Sequence, residues 1–482
     1  MSQELANRHL EDWNDRVQLA EASLPIIGSL FRDHGVVVIM YGRPLIESPP
    51  IDILRQHRWV RQVAEGALSI HDTFPLLQEV ARMKLHPCRV DLGKLAVAWI
   101  RGGRSPDLAA FVRDQVGACT ELPERAIAKP QDVVLYGFGR IGRLLARLLI
   151  ERTGNGEALR LRAIVVRPGK ENDLHKRASL LRRDSVHGRF AGSITIDEEN
   201  QALIANGHFI KVIYANAPDE IDYEAHGISD AIIIDNTGKW RDREGLGLHV
   251  AAKGASKVLL TAPGKGDIKN IVFGVNDDTI EDDDAILSAA SCTTNAITPV
   301  LRALLDGFGI VGGHVETVHS YTNDQNLIDN YHKAKRRGRA AALNMVLTET
   351  GAAKAVAKAI PELSGKLTGN AIRVPTPNVS LAILNLVLEK EATAESVNAY
   401  LRDAALHSNL SLQIDYTAST EVSSTDLVGS RYAGVVDSDA TIVKDNRAVV
   451  YVWYDNEFGY SVQVVRVVQR MAGIRYVTLP TD

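Results

Sequence analysis

Cysteine is scarce in this 482-residue chain: only Cys88, Cys119 and Cys292 occur. An odd, sparse set argues against a disulfide framework and fits a reducing compartment. Long apolar runs are also missing. Stretches such as Gly35 to Met40 fall far short of the roughly 20 residues that a membrane-spanning helix needs. Neither charge dominates, with 55 basic and 59 acidic side chains and a net charge of -4. That balance gives no reason to expect nucleic acid or an anionic membrane as partner. Met1 to Leu5 lacks a basic region followed by an apolar stretch, so no signal peptide is read and a cytoplasmic protein is expected. No internal repeat, low-complexity tract or metal site is read.

What is present is an ordinary globular composition, 45% apolar and 24% charged, long enough for two or three domains. The region up to about Glu124 reads as a mostly helical extension without a catalytic motif. Ser105-Pro106-Asp107 before Leu108, Phe111, Val112 and Val116 is a helix start, with a capping side chain, proline in the first turn and one apolar face. Asp91 before Leu92, Leu95, Ala96 and Trp99 reads the same way, with Gly102-Gly103 as the stop. Ile53, Leu54, Val60 and Val63 mark another helix. Val36 to Ile39 fits a short strand or a buried helix end, and periodicity does not decide between them. Leu122 to Pro130 reads as the linker.

From Asp132 onward strands and helices alternate, which predicts a parallel sheet covered on both faces. Val133-Val134-Leu135 runs into Gly137-Phe138-Gly139-Arg140-Ile141-Gly142. Such a turn lets a pyrophosphate approach the backbone and rest on the free amides of the following helix. Arg167 stands at the end of the second strand, where an acidic residue would bind the adenosine ribose hydroxyls. Arginine cannot accept those bonds but pairs with a 2′-phosphate, which points to NADP rather than NAD. After Cys292, alternation in Ser380 to Leu388 and Ala448 to Tyr454 predicts a second, mixed or antiparallel sheet. Glu281 to Asp284 reads as a solvated loop.

Ser291-Cys292-Thr293-Thr294-Asn295 places a cysteine at a helix start, and His319 follows downstream. Taken singly, each would be an ordinary core residue. Together they suggest a thiolate nucleophile and its base. A reactive cysteine with a dinucleotide site suggests oxidation of an aldehyde through a thioester. Thr350, Gly351 and Arg373 add phosphate-binding chemistry.

Together these motifs are recognisable. From about Lys129 to the C-terminus the chain resembles phosphorylating glyceraldehyde-3-phosphate dehydrogenase. The resemblance rests on Gly137 to Arg143, Asp184-Ser185-Val186-His187-Gly188, Ser291 to Asn295, His319 to Gln325, Thr350 to Val356, Arg373 to Asn378 and Trp453 to Glu457. It implies that Cys292 attacks the aldehyde, that His319 activates the thiol and accepts the hydroxyl proton, and that phosphate cleaves the thioester to an acyl phosphate. It assigns Thr322 and Arg373 to the substrate's phosphate, and Ser291, Thr293, Thr350 and Gly351 to the attacking phosphate. Gly137, Gly139, Arg140, Ile141, Gly142, Thr237 and Gly238 fall to the cofactor, with Asn456 orienting the nicotinamide carboxamide and Tyr460 nearby. A homotetramer is implied as well.

Most departures from the family pattern cluster at the adenosine end: they are Tyr136 before the first glycine, Arg167 for the ribose-binding aspartate, Asn330-Tyr331 for a leucine-proline pair, Asn236-Thr237-Gly238 followed by Lys239, and Phe458 for a common tryptophan. The expected architecture is α/β: a helical extension (1–126), a Rossmann-type NAD(P)-binding domain (127–291, completed by 455–482) and an α+β catalytic domain (292–454). The expected activity is NADP-preferring oxidative phosphorylation of D-glyceraldehyde 3-phosphate. The alternatives are erythrose-4-phosphate dehydrogenase and a regulatory or scaffold protein on the same fold. The extension has three readings: an oligomerisation or packing element, a regulatory docking module, or a dispensable appendage. Cys88 and Cys119 are read as buried structural thiols, with a redox pair as the alternative.

Overall fold

The computed structural model describes residues 3–63, 68–154, 156–169 and 171–481. They fall into two compact units, one of residues up to Pro130 with 154–158 and 474–482, the other of 131–153 and 159–473.

The first unit contains helices Gln3–His34, Pro50–Val63, Ile70–Arg82, Leu92–Arg101 and Leu108–Val116. The long first helix buries Ala20, Ser23, Ile27 and Leu30. Asp91 caps its helix by accepting from the Lys94 amide at 3.0 Å, and its carboxylate also accepts from the Tyr41 amide at 3.0 Å. The start near Ser105 lies two residues later than the sequence suggests. Asp107, not Ser105, is the cap and accepts from the Ala110 amide, while Pro106 stays outside the helix.

Val37–Met40 is a strand, so the β-branched run resolves that way. It lies in a four-stranded sheet of order Arg43–Pro44, Val37–Met40, Arg89–Asp91, Thr478–Leu479. The last strand corrects an expectation: residues 474–482 do not complete the dinucleotide-binding domain. Thr478 and Leu479 pair in parallel with Arg89 and Val90, and the Arg89 amide donates to the Val477 carbonyl at 2.8 Å. The first compact unit runs to Pro130, against the boundary expected at 126.

The second unit contains two large sheets. The first has eight strands in the order Ile286–Ser288, Ala255–Leu260, Ala231–Asp235, Gln131–Tyr136, Leu159–Val166, His208–Tyr214, Ala202–Ala205, Ile194–Asp197. The first six run parallel and the last two form an antiparallel edge. Gln131–Tyr136 opens the fold and is flanked by Leu159–Val166 and Ala231–Asp235, so the winding reverses at this strand. A crevice forms beyond the carboxyl ends of strands at such a switch point. Residues 455–473 stay with this unit, as helix Phe458–Met471 packs against Arg140–Arg152.

The second sheet has seven strands, ordered Val346–Thr348, Leu367–Val374, Ile310–Ser320, Ser380–Leu388, Arg447–Tyr454, Gly434–Lys444, Ile414–Thr417. Ser380–Leu388 and Arg447–Tyr454 pair antiparallel from Ser380↔Tyr454 to Val387↔Arg447, and their buried residues alternate. The buried faces meet helices Cys292–Phe308, Ala352–Ala359 and Ala394–His407 in one apolar core. That packing fixes the start of the Cys292 helix against the sheet.

Candidate active site

Cys292 is the first residue of its helix. Ser291 caps it, accepting from the Thr294 amide at 3.1 Å. The preceding Ala290 is held at φ 54, a left-handed conformation that costs a non-glycine residue free energy. Two bonds fix it there: Tyr460 Oη donates to its carbonyl at 3.0 Å, and its amide donates to Ser288 Oγ at 3.0 Å. The local backbone is therefore set by neighbours and aims the half-buried thiol out of the helix start.

His319 lies near the end of strand Ile310–Ser320, in register with Arg373 on the adjacent parallel strand. Its Nε2 is 3.6 Å from Cys292 Sγ. Nδ1 is 2.7 Å from the Ser320 carbonyl oxygen, so a hydrogen on Nδ1 satisfies that bond and leaves the Nε2 lone pair facing sulfur. Arg373 Nη1 lies 2.8 Å from Nδ1 and donates to the same carbonyl at 3.0 Å.

Burial, then the Arg373 charge, lowers the imidazole to about 3. Burial pushes the Cys292 thiol up, opposed first by Arg373 and then by hydrogen bonds at the helix start. In the free protein both groups are thus held neutral, a thiol facing the lone pair of an imidazole that burial makes a weak base.

Arg373 Nη1 also reaches Thr322 Oγ1 at 3.4 Å. Asp324, which accepts from Thr322, pairs with Arg337 at 2.5 Å, and Arg337 donates to Thr348 Oγ1 at 3.0 Å. Sequence reasoning gave Asp324, inside the His319 to Gln325 motif, and Arg337 no role, because charged residues in a polar loop carry no periodic signal. Thr350 accepts from the Ala352 amide. Gly351 caps helix Ala352–Ala359 with open space where a Cβ would stand. Thr293 is different: its hydroxyl is buried and shares a 2.9 Å hydrogen bond with Tyr454 Oη. Asn456 is buried too, its Oδ1 accepting from Ser380 Oγ, which itself accepts from the Ser320 amide. This chain orients the Asn456 carboxamide relative to the end of the His319 strand.

A cleft of about 820 Å³ opens beyond the first strand, lined by Tyr136 to Gly139, Val165 to Gly169, Arg177, Asn236, Thr237, Lys239 and Trp240 among others. Its glycines fit a dinucleotide. Gly137 has φ +98, a Cβ at Gly142 would lie 2.4 Å from the Gly137 carbonyl oxygen, and a Cβ at Gly139 would meet no described residue beyond its chain neighbours within 4 Å. The backbone at Gly139 is thus open to a ligand, next to the amides that start helix Arg140–Arg152. Asn236 Oδ1, buried beside this turn, has no hydrogen-bond partner among the described residues. The Arg140 side chain points elsewhere: it pairs with Asp184 at 2.8 Å and with Glu457, so only its backbone is free for a pyrophosphate. Thr237 donates to the buried Asp235 through both its amide and its hydroxyl, and Gly238 follows at φ +60. Tyr460 is buried with its hydroxyl committed to Ala290. Arg167 lines the cleft and is exposed; Lys170 lies outside the described residues.

Two family models match this chain, both of glyceraldehyde 3-phosphate dehydrogenase: the NAD binding domain over residues 131–243 and the C-terminal domain over 291–456. The chain belongs to the glyceraldehyde-3-phosphate dehydrogenase family. Members are NAD-dependent, phosphorylating aldehyde dehydrogenases, so the chain is an oxidoreductase. A glyceraldehyde-3-phosphate dehydrogenase-like protein of Pseudomonas aeruginosa is 61% identical over 95% of this chain and its own full length. The chloroplastic glyceraldehyde-3-phosphate dehydrogenase A of Zea mays is 43% identical over 71% of this chain and 83% of its own. The Zymomonas mobilis enzyme is 41% identical over 70% and 98%. The first alignment therefore takes in most of the N-terminal unit, whereas the other two leave out a comparable length of sequence.

Proposed function

We propose that this family member oxidises D-glyceraldehyde 3-phosphate to 1,3-bisphosphoglycerate, with NADP preferred over NAD. The observation that carries the reading is Cys292 Sγ at 3.6 Å from His319 Nε2, at a helix start beside Arg373 and Thr322. Thr322 and Arg373 hold the substrate's phosphate and present its aldehyde to the thiol. Cys292 adds to the carbonyl carbon while its proton passes to His319 Nε2 and on to the carbonyl oxygen, giving a thiohemiacetal. The nicotinamide, once bound, supplies the acceptor for the hydride that this carbon releases. His319 takes the hydroxyl proton as the thioester forms, which is general base work at hydrogen-bond reach. Inorganic phosphate, held by the Ser291 and Thr350 hydroxyls and the Gly351 amide with Thr293 behind them, attacks the thioester carbon. The acyl phosphate leaves and the Cys292 thiolate regains its proton.

The cofactor would rest on Gly137, Gly139 and Gly142, the amides of Arg140 and Ile141, and Thr237 and Gly238. Asn456 would hold the carboxamide, while Tyr460 acts by fixing Ala290. The basic side chains of the cleft support a 2′-phosphate. A homotetramer is part of the proposal. Leu327, Ile328, Tyr331, Leu343 and Met345 are each more than 70% exposed, more large apolar surface than a solvated loop carries without a partner. A cytoplasmic site of action is likewise part of the proposal. No helix among the described residues is long and apolar enough to cross a membrane.

The test is steady-state oxidation with NAD and NADP, each with and without inorganic phosphate. Phosphate-dependent turnover favouring NADP supports the whole reading. Turnover without phosphate dependence, or activity on erythrose 4-phosphate alone, would refute the reaction.

A further inference from the structure

The described residues that line the cofactor cleft include three cations, Arg167, Arg177 and Lys239, and no carboxylate. They differ in how firmly they are held. The Arg167 side chain is exposed, with no hydrogen bond or ion pair to a described residue. A phosphate that recruits it must first freeze a long, free side chain, which offsets much of the gain.

Arg177 is already frozen. It sits one turn into helix Asp173–Arg182, and its side chain is only 19% exposed. Nε pairs with Asp173 at 2.6 Å and Nη2 donates to the Arg167 carbonyl at 3.4 Å. Burial and then Asp173 push the Tyr214 hydroxyl up while Arg177 opposes them, so the phenol lies beside both members of the pair. The loop lies close to the pair at Gly169, where a Cβ would be 2.1 Å from Asp173 Oδ1 and would force the carboxylate to shift. Lys239, from the other side of the glycine turn, rests over the Trp240 ring at 4.3 Å, a cation–π contact that restrains it.

We propose that Arg177, rather than Arg167, is the specificity-determining cation for the cofactor's 2′-phosphate, with Lys239 as the opposing charge. This rests on the NADP reading above. Asp173 occupies Nε and leaves Nη hydrogens for the phosphate, so the guanidinium is oriented before the ligand arrives. Preorganisation of this kind strengthens binding by lowering the ordering cost. Arg167 then contributes its carbonyl, which braces Arg177, more than its side chain.

The experiment compares kcat and KM for both cofactors in the full chain, in Arg177→Met, Arg177→Lys and Arg167→Ala, with inhibition by 2′-AMP and 5′-AMP measured alongside. Arg177→Met is expected to raise the NADP KM on the order of tenfold or more, to raise the NAD KM much less, and to erase preferential inhibition by 2′-AMP. Arg177→Lys should recover part of the loss, and Arg167→Ala should change the cofactor ratio little. Arg167→Ala collapsing the ratio while Arg177→Met preserves it would overturn the assignment and leave the NADP reading standing. Equal losses for both cofactors in Arg177→Met would also overturn it, as a purely structural effect. A wild-type chain that prefers NAD and binds 5′-AMP as well as 2′-AMP would remove the 2′-phosphate reading itself.

Discussion

The depressed basicity of His319 has a thermodynamic consequence that needs no substrate. Its imidazole is lowered from 6.5 to about 3, chiefly by burial and then by Arg373. Below pH 6.5 the unfolded chain takes up a proton at this residue and the folded chain does not, so stability falls as pH falls and is unaffected above that value. The cost sets in near pH 6.5, amounts to about 2 kcal/mol at pH 5, and levels off near pH 3 at roughly 5 kcal/mol.

His319→Asn removes this titration and leaves the other groups in place. Urea unfolding of the two proteins at pH 8 and pH 5, followed by tryptophan fluorescence, isolates the His319 contribution as a difference of differences. His57 cancels in that comparison, although its burial lowers it to about 4 as well. Wild type should lose about 2 kcal/mol more than the variant between pH 8 and pH 5. Equal losses would show that the imidazole titrates normally in the folded state, and the neutral thiol–imidazole pair would have to be replaced by a thiolate–imidazolium pair.

Other perturbations separate chemistry from architecture. Cys292→Ser should nearly abolish turnover while cofactor binding by calorimetry stays close to wild type; retained turnover would overturn the thioester. Gly142→Ala puts a Cβ 2.4 Å from the Gly137 carbonyl oxygen, so stability should drop by about 1–3 kcal/mol and dinucleotide affinity should fall with it, read by thermal unfolding and titration. Tyr454→Phe strips the buried Thr293 hydroxyl of its partner and should cost about 1–3 kcal/mol, measured as a lower unfolding midpoint. Replacing Leu327, Ile328 and Tyr331 together with serine should shift the chain to a smaller species in analytical ultracentrifugation; an unchanged mass would place any self-association elsewhere.

The parts of this fold legible in the sequence are those written locally. The glycine turn is one, because Gly142 against the Gly137 carbonyl is a constraint between residues five apart. The Cys292 helix start is another, since Ser291 caps within four residues. The long-range partners are not written this way. Nothing near Arg89 announces a strand from Thr478–Leu479, and nothing near Ala290 announces that Tyr460 will pin it. The same limit explains Arg167. A residue at the end of a strand is visible by position, so it attracted the cofactor assignment. Arg177 lies ten residues on, inside helix Asp173–Arg182, among charged side chains that form no motif of their own. Its importance appears only once Asp173, the Arg167 carbonyl and the close approach of Gly169 are seen to hold one guanidinium at the edge of the cleft. In a binding site the residue that lies nearest in sequence and the residue held most rigidly need not be the same. It is the second that saves the cost of ordering when the ligand arrives.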